Sequence, residues 1–120
     1  MNKFTWGMRG LIFIGLAFVG LSYPAQASED EDKKNFRANE RACEDGNADS
    51  CNTLGSFYSS GFQVDTNIQK AIELFERACT GGSAKGCSNL ADYYKSGTDV
   101  TQDNPKAAEL YKRSCDAGFS

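Results

Sequence analysis

Apolar residues recur at helical spacing along most of the chain. Between residues 68 and 79 they fall at i, i+3, i+4, i+7, i+10 and i+11, which is one face of an α-helix. Shorter patterns predict partner helices from about Ala48 to Ser60 and from Ala84 to Ser96. Asn67 and Asp103 stand where helix N-caps belong. No β-type alternation occurs after residue 27, so the pattern predicts an all-α fold of about five helices in antiparallel hairpins.

These helical segments belong to a repeat with a period of 36 residues. Three residue types return at this offset: Cys43, Cys79 and Cys115; Arg41, Arg77 and Arg113; Gly46, Gly82 and Gly118. A fixed period in this range is the signature of stacked supersecondary units. Glu73 lies four residues before Arg77, the order that favours an ion pair on a helix surface, and Glu109 and Arg113 repeat the pair. Each unit is therefore predicted to be one pair of helices.

Two cysteines stand eight positions apart in each of the first two units, with glycine between them. On one continuous helix that separation is roughly 12 Å, whereas a disulfide needs Cα atoms about 4.4–6.8 Å apart. The chain must therefore turn between the cysteines, and Gly81-Gly82 permits the turn. A disulfide would then join the end of one helix to the start of the next. A metal site is the alternative, although the chain has no C-x-x-C motif and no histidine.

The first 27 residues have the features of an export signal. Lys3 and Arg9 are basic, residues 10–22 are apolar, and Ala25-Gln26-Ala27 is an A-x-A cleavage site. The apolar stretch is shorter than the ~20 residues that span a bilayer as a helix. Cleavage after Ala27 is therefore the prediction, and an uncleaved membrane anchor is the weaker alternative.

Cleavage predicts a mature chain made of a charged lead, residues 28–34, and a repeat domain, residues 35–120. All five cysteines lie in this part, and export places them where disulfides persist. Loss of Lys3 and Arg9 from the 13 basic residues leaves 11 against 16 acidic ones, a net charge of −5. An acidic domain disfavours nucleic acid and anionic membrane surfaces as partners. We therefore expect a secreted or periplasmic bacterial protein with no membrane span after cleavage.

The residues also resemble a known family over 35–118. The motif is Leu54-Gly55-x-x-Tyr58-x-x-Gly61-x-x-Val64 followed by Lys70-Ala71-x-x-Leu74-Phe75-x-x-Ala78. It resembles the Sel-one-like repeat, a relative of the tetratricopeptide repeat, and the cysteine spacing is similar to that of the Helicobacter cysteine-rich proteins. The resemblance implies α/α-hairpins, each closed by one disulfide, stacked as a short right-handed solenoid with a concave face. It also implies the pairs Cys43–Cys51 and Cys79–Cys87, with Cys115 unpaired in a truncated third unit.

The resemblance implies binding of a protein or peptide on the concave face. Asn89 matches the position where tetratricopeptide-type repeats place an asparagine toward a bound peptide backbone, and Thr53 is its counterpart in the other unit. We expect Asn89→Ala to weaken peptide binding without changing the thermal melt. No catalytic residue, metal ligand or cofactor is predicted.

Two other functions stay open at the level of sequence. Members of the resembled family include penicillin-binding proteins and slow β-lactamases, so a β-lactam or peptidoglycan-like ligand is one alternative. The chain has no Ser-x-x-Lys motif and no histidine to support hydrolysis, and Lys95-Ser96-Gly97 is interpreted as a helix C-terminus. The other alternative is a secreted structural or host-signalling protein, to which no residue points uniquely.

Overall fold

The computed structural model describes residues 28–118, which contain five helices and no strand. The helices are α1 (28–44), α2 (Ala48–Ser60), α3 (Ile68–Thr80), α4 (Ala84–Ser96) and α5 (Asn104–Asp116). The residues from Asn35 onward form one compact unit, and its boundary falls within α1. The predicted all-α fold of paired helices is confirmed for these residues. The predicted signal segment, residues 1–27, lies outside the described residues.

Short-range interactions define where helices α2 to α5 begin and end. Each begins after a residue whose side-chain oxygen accepts a hydrogen bond from the backbone N–H three residues later; these N-caps are Asn47, Asn67, Ser83 and Asp103. Such caps satisfy one of the N–H groups that the first turn of a helix leaves unpaired. Helices α2 and α4 end at Gly61 and Gly97, with φ angles of 78° and 72°. Glycine adopts this left-handed conformation without steric penalty, which ends the helix.

Helix α3 is the central layer of the packed unit, between two hydrophobic clusters. One cluster contains Cys43, Cys51, Leu54, Leu74 and Ala78. The other contains Ala71, Ile72, Phe75, Cys79, Cys87, Leu90, Ala91 and Leu110. The apolar stripe predicted for this helix omits Leu74, yet Leu74 is buried. The physical reason is that α3 contacts both α2 and α4, whereas a single stripe anticipates only one covered face.

Two disulfides hold the joints between successive helix pairs. Cys43–Cys51 links the end of α1 to α2, and Cys79–Cys87 links the end of α3 to α4, with Cα–Cα distances of 4.6 and 4.4 Å. At the second joint the chain turns at Gly82, whose φ is 98°. Each bridge closes a short loop, which stabilises the fold by about 2–3 kcal/mol through the reduced entropy of the unfolded chain.

Two of the repeated arginines, Arg77 and Arg113, bind the joints instead of forming the ion pairs expected on their own helices. Arg77 Nη2 donates to the carbonyl oxygen of Cys43 at 3.2 Å, and Arg113 Nη2 donates to that of Cys79 at 3.4 Å. Within residues 28–118, neither arginine forms an ion pair with the glutamate four residues before it. Each arginine therefore ties the second helix of one pair to the disulfide-bonded cysteine of the preceding joint.

Candidate functional site

The first helices of the two pairs, α2 and α4, contact each other and carry a polar face. Two depressions lie along this face. One, of about 280 Å³, is lined by Ser56, Ser59, Phe75, Asn89, Asp92 and Tyr93. The other, of about 390 Å³, is lined by Asp49, Asn52, Thr53, Gly82, Ala84, Lys85, Ala117 and Gly118. These two sets of residues together define what we call the α2–α4 groove.

A hydrogen bond between two asparagines crosses the groove. Asn89 Nδ2 on α4 donates to Asn52 Oδ1 on α2 at 2.7 Å, and only 8% of the Asn52 surface is exposed. Among the described residues, Asn89 Oδ1 and Asn52 Nδ2 have no protein partner, and no buried side-chain nitrogen or oxygen is left unpaired. Both free atoms are therefore accessible to solvent. The pair therefore leaves one hydrogen-bond acceptor, on Asn89, and one donor, on Asn52, for a ligand.

Both residues that the sequence singled out for ligand binding line the groove. Asn89 and Thr53 lie at equivalent positions of the two units, and both are half-buried. The Thr53 hydroxyl donates to the backbone carbonyl of Asp49 at 3.0 Å, which orients its methyl group and oxygen within the groove. Sequence reasoning missed Asn52, because the repeat register aligns it with Ser88 and gives no sign of a contact with Asn89.

A second polar contact lies at the far end of the groove. The Tyr111 hydroxyl on α5 donates to Asp92 Oδ1 on α4. This hydrogen bond to a carboxylate is the main reason that the pKa of Tyr111 is raised to about 12. Beside Asp92, the ring of Tyr93 stacks on Phe75, with ring centroids 6.1 Å apart. The groove therefore combines a carboxylate, an aromatic surface and the asparagine pair.

A larger depression, of about 630 Å³, lies against the first disulfide and is lined in part by Glu73, Glu76 and Arg77. Its arginine already donates to a backbone carbonyl, as described above. Because this side chain holds the joint together, the depression offers fewer free polar groups than the α2–α4 groove. We therefore take the groove as the candidate site.

The residues with potential reactivity are not gathered at one place. Cys115 is exposed and unpaired on α5. Lys95-Ser96-Gly97 forms the end of α4, where the Ser96 hydroxyl donates to the carbonyl of Tyr93 at 3.3 Å. Within residues 28–118, no group of three or more His, Cys, Asp or Glu side chains is placed to hold a metal ion. In the same part of the chain, no helix has the length and apolarity needed to cross a membrane.

Stacked α/α-hairpins with a polar face on their first helices define a helical repeat protein. The Sel1 repeat model matches residues 48–83 and 84–119, and the chain belongs to the Sel1 repeat family. With the units counted in this way, the second disulfide joins one repeat to the next. The Sel1 repeat fold is that of a protein–protein interaction module.

Three solved structures show the same fold. Helicobacter pylori cysteine-rich protein B superposes with a TM-score of 0.68 at 28% identity, over 72% of this chain and 65% of that one. A protective antigen of uropathogenic Escherichia coli strains gives 0.64 at 35% identity, over 69% of this chain and 18% of the antigen.

A Sel1 repeat protein of Oxalobacter formigenes gives a TM-score of 0.63 at 23% identity, over 69% of this chain and 34% of that one, and it shows the fold alone. The chain thus spans less than two thirds of the length of each of these structures. No curated protein sequence matches it.

Proposed function

We propose that the protein is an exported module that binds a peptide, or an extended segment of a partner protein, along the α2–α4 groove. The observation that carries the proposal is the Asn52–Asn89 pair, which crosses the groove and leaves one donor and one acceptor accessible. A peptide group is complementary to this pair. Its carbonyl oxygen can accept a hydrogen bond from Asn52 Nδ2, and its N–H can donate to Asn89 Oδ1. Asn89 and Thr53 are the ligand-binding residues of the proposal.

The packing of the helices supports the choice of this face. α2 and α4 contact each other more extensively than α3 and α5 do. In a stack of helix pairs, the layer whose helices approach more closely lies on the inner side of the curve. Helical repeat arrays present their concave surfaces to ligands. The groove is then the concave face, and a segment lying along it would contact both repeats.

The two disulfides support the proposal of export. Disulfides form and persist outside the cytoplasm, in the periplasm or the medium. The similar structure from Helicobacter pylori is named a cysteine-rich protein, which agrees with this compartment. Mass spectrometry of the protein recovered from periplasm and medium should find Ser28 as its first residue. Recovery only from the cytoplasm, with the first 27 residues intact, would contradict export.

The binding proposal is tested with a substitution that fills the groove. Peptides selected from a displayed random library on the disulfide-bonded protein are measured by titration calorimetry against Thr53→Arg. Thr53 is half-buried in the groove, so we expect the long side chain to weaken binding at least tenfold. Thr80→Arg is the matched control, because Thr80 is exposed at the end of α3 and lines the depression at the first disulfide instead.

The control should bind as the unmodified protein does. Equal binding by both variants, or loss of binding only in Thr80→Arg, would place the ligand elsewhere on the surface. Circular dichroism melts of both variants show whether each keeps its fold.

A further inference from the structure

The depression at one end of the α2–α4 groove contains a single charge. Six residues line it: Ser56, Ser59, Phe75, Asn89, Asp92 and Tyr93. Of these, only Asp92 is charged at neutral pH. The opposite wall is neutral, because the residue equivalent to Asp92 in the first repeat is Ser56. The depression therefore has a negative potential at one side and uncharged hydroxyl groups at the other.

Within residues 28–118, the Asp92 carboxylate has no basic partner at ion-pair distance. Its Oδ1 atom accepts a hydrogen bond from the Tyr111 hydroxyl, and its Oδ2 atom makes no hydrogen bond to the described residues. The hydroxyl holds the carboxylate in one orientation. Lys85, the cation of the groove, stands seven residues earlier on the same helix, roughly 10 Å away along the axis.

Aromatic side chains form the remainder of this depression. Phe75 is buried at its base, and Tyr93 is half-buried and stacks on it. The face of an aromatic ring attracts a cation, and the attraction adds to that of a nearby carboxylate. The methylene groups of a lysine or arginine side chain also pack favourably on apolar surface while the charged end reaches a polar group.

We infer that this depression, the Asp92 pocket, binds a lysine or arginine side chain of the peptide that lies in the groove. The carboxylate of Asp92 pairs with the cationic group, the ring of Tyr93 contacts both this group and the methylene groups, and Tyr111 acts as a positioning residue for the carboxylate. The inference rests on the proposed peptide-binding function and adds the chemical class of one side chain of the ligand.

The test uses short peptides of defined sequence and the full disulfide-bonded chain. The peptides are acetylated and amidated Ala-Leu-X-Leu-Ala, in which X is lysine, arginine, norleucine or glutamate. Binding is followed by the NMR shifts of the backbone amides of isotope-labelled protein. We expect the lysine and arginine peptides to bind about fivefold more tightly than the norleucine peptide, from one partly exposed ion pair and one cation–π contact. The largest shifts should be those of Asp92 and Tyr93.

Two protein variants make the result specific. Asp92→Asn keeps the shape of the pocket and removes its charge, so the preference for lysine over norleucine should disappear. Asp65→Asn is the matched control, because it removes the same charge from the exposed loop between α2 and α3 and should leave the preference unchanged. Loss of the preference in both variants would indicate a general effect of net charge and overturn the inference.

Other outcomes separate the inference from the proposed function. Equal binding of the lysine and norleucine peptides in the groove overturns the cation pocket and leaves peptide binding standing. Absence of shifts with any peptide overturns both. A fifth peptide carries norleucine and a free amino terminus. If it binds as tightly as the lysine peptide, the pocket recognises a chain terminus, and the assignment to a side chain is overturned.

Discussion

Alanine substitutions at Asn52 and Asn89 test whether this pair couples the two repeats. The hydrogen bond between neutral amides contributes about 0.5–1.5 kcal/mol to stability. Removal of Asn89 also leaves the nearly buried Asn52 oxygen without its protein partner, which increases the loss. Alanine offsets part of this, because it favours the helix over asparagine by up to about 0.7 kcal/mol. We expect Asn89→Ala to lower the free energy of unfolding by about 1 kcal/mol.

The double-mutant cycle removes the helix-propensity terms, since they cancel between its two arms. Unfolding by urea, with both disulfides intact, gives the free energies of the parent, the two single variants and the double variant. The coupling energy between Asn52 and Asn89 should be about 1 kcal/mol, with an unchanged slope against urea. A cycle that pairs Asn89 with Asn39 is the control. Among the residues that the structure describes, the Asn39 side chain bonds only to Asn35 on its own helix, so its coupling to Asn89 should be near zero.

A coupling energy indistinguishable from that of the control would refute the structural role of the pair. The structure also changes the expectation drawn from sequence for Asn89→Ala. The sequence predicted weaker peptide binding with an unchanged melt. Because Asn89 is bonded to Asn52 across the two repeats, we now expect both the affinity and the melting temperature to fall.

Three other predictions follow from the packing and from one perturbed pKa. Gly86→Ala should lower the free energy of unfolding by about 1–2 kcal/mol, because the added Cβ would lie 2.5 Å from the Cβ of Ala78. The overpacking outweighs the gain in helix propensity of about 1 kcal/mol. A variant as stable as the parent in urea would show that α3 and α4 are not in tight contact. Replacing the Cys79–Cys87 pair by two serines should cost about 2–3 kcal/mol in the same titration, and no loss would contradict its role as a stabilising joint. The free energy of unfolding should fall as the pH rises from 10 to about 12, because the pKa of Tyr111 is raised in the folded protein. The protonated hydroxyl stabilises the fold fully below the pKa of Tyr111 in the unfolded chain, and this stabilisation is lost as the pH passes the pKa in the folded protein. Phenolate absorbance should show Tyr111 titrating near the upper value, and Asp92→Asn should return it toward 10.0; a titration unaffected by that substitution would remove Asp92 as the cause.

The amino-acid sequence by itself determined the local structure of the described residues. The apolar spacing, the N-caps Asn67 and Asp103 and the left-handed Gly82 each act within a few residues, so they can be read along the chain. The period of 36 residues and the paired cysteines also predicted the architecture of stacked helix pairs, because a repeated unit must stack on its neighbour to bury its apolar face. The predicted groove residues Asn89 and Thr53 do lie on one face for the same reason.

The tertiary structure alone decided which side chains meet between helices. Arg77 bonds to the carbonyl of Cys43, Asn89 to Asn52, and Tyr111 to Asp92, across sequence separations of 34, 37 and 19 residues. Sequence pattern favoured a local ion pair for Arg77, which the structure does not contain among the described residues, and it gave no sign of the bond between Asn89 and Asn52. Contacts between helices cannot be read along the chain, because the angle and offset at which one helix pair packs on the next are set by the fit of many buried side chains together. Repeat register specifies which helices are equivalent, and the packing of their faces specifies the contacts of the groove.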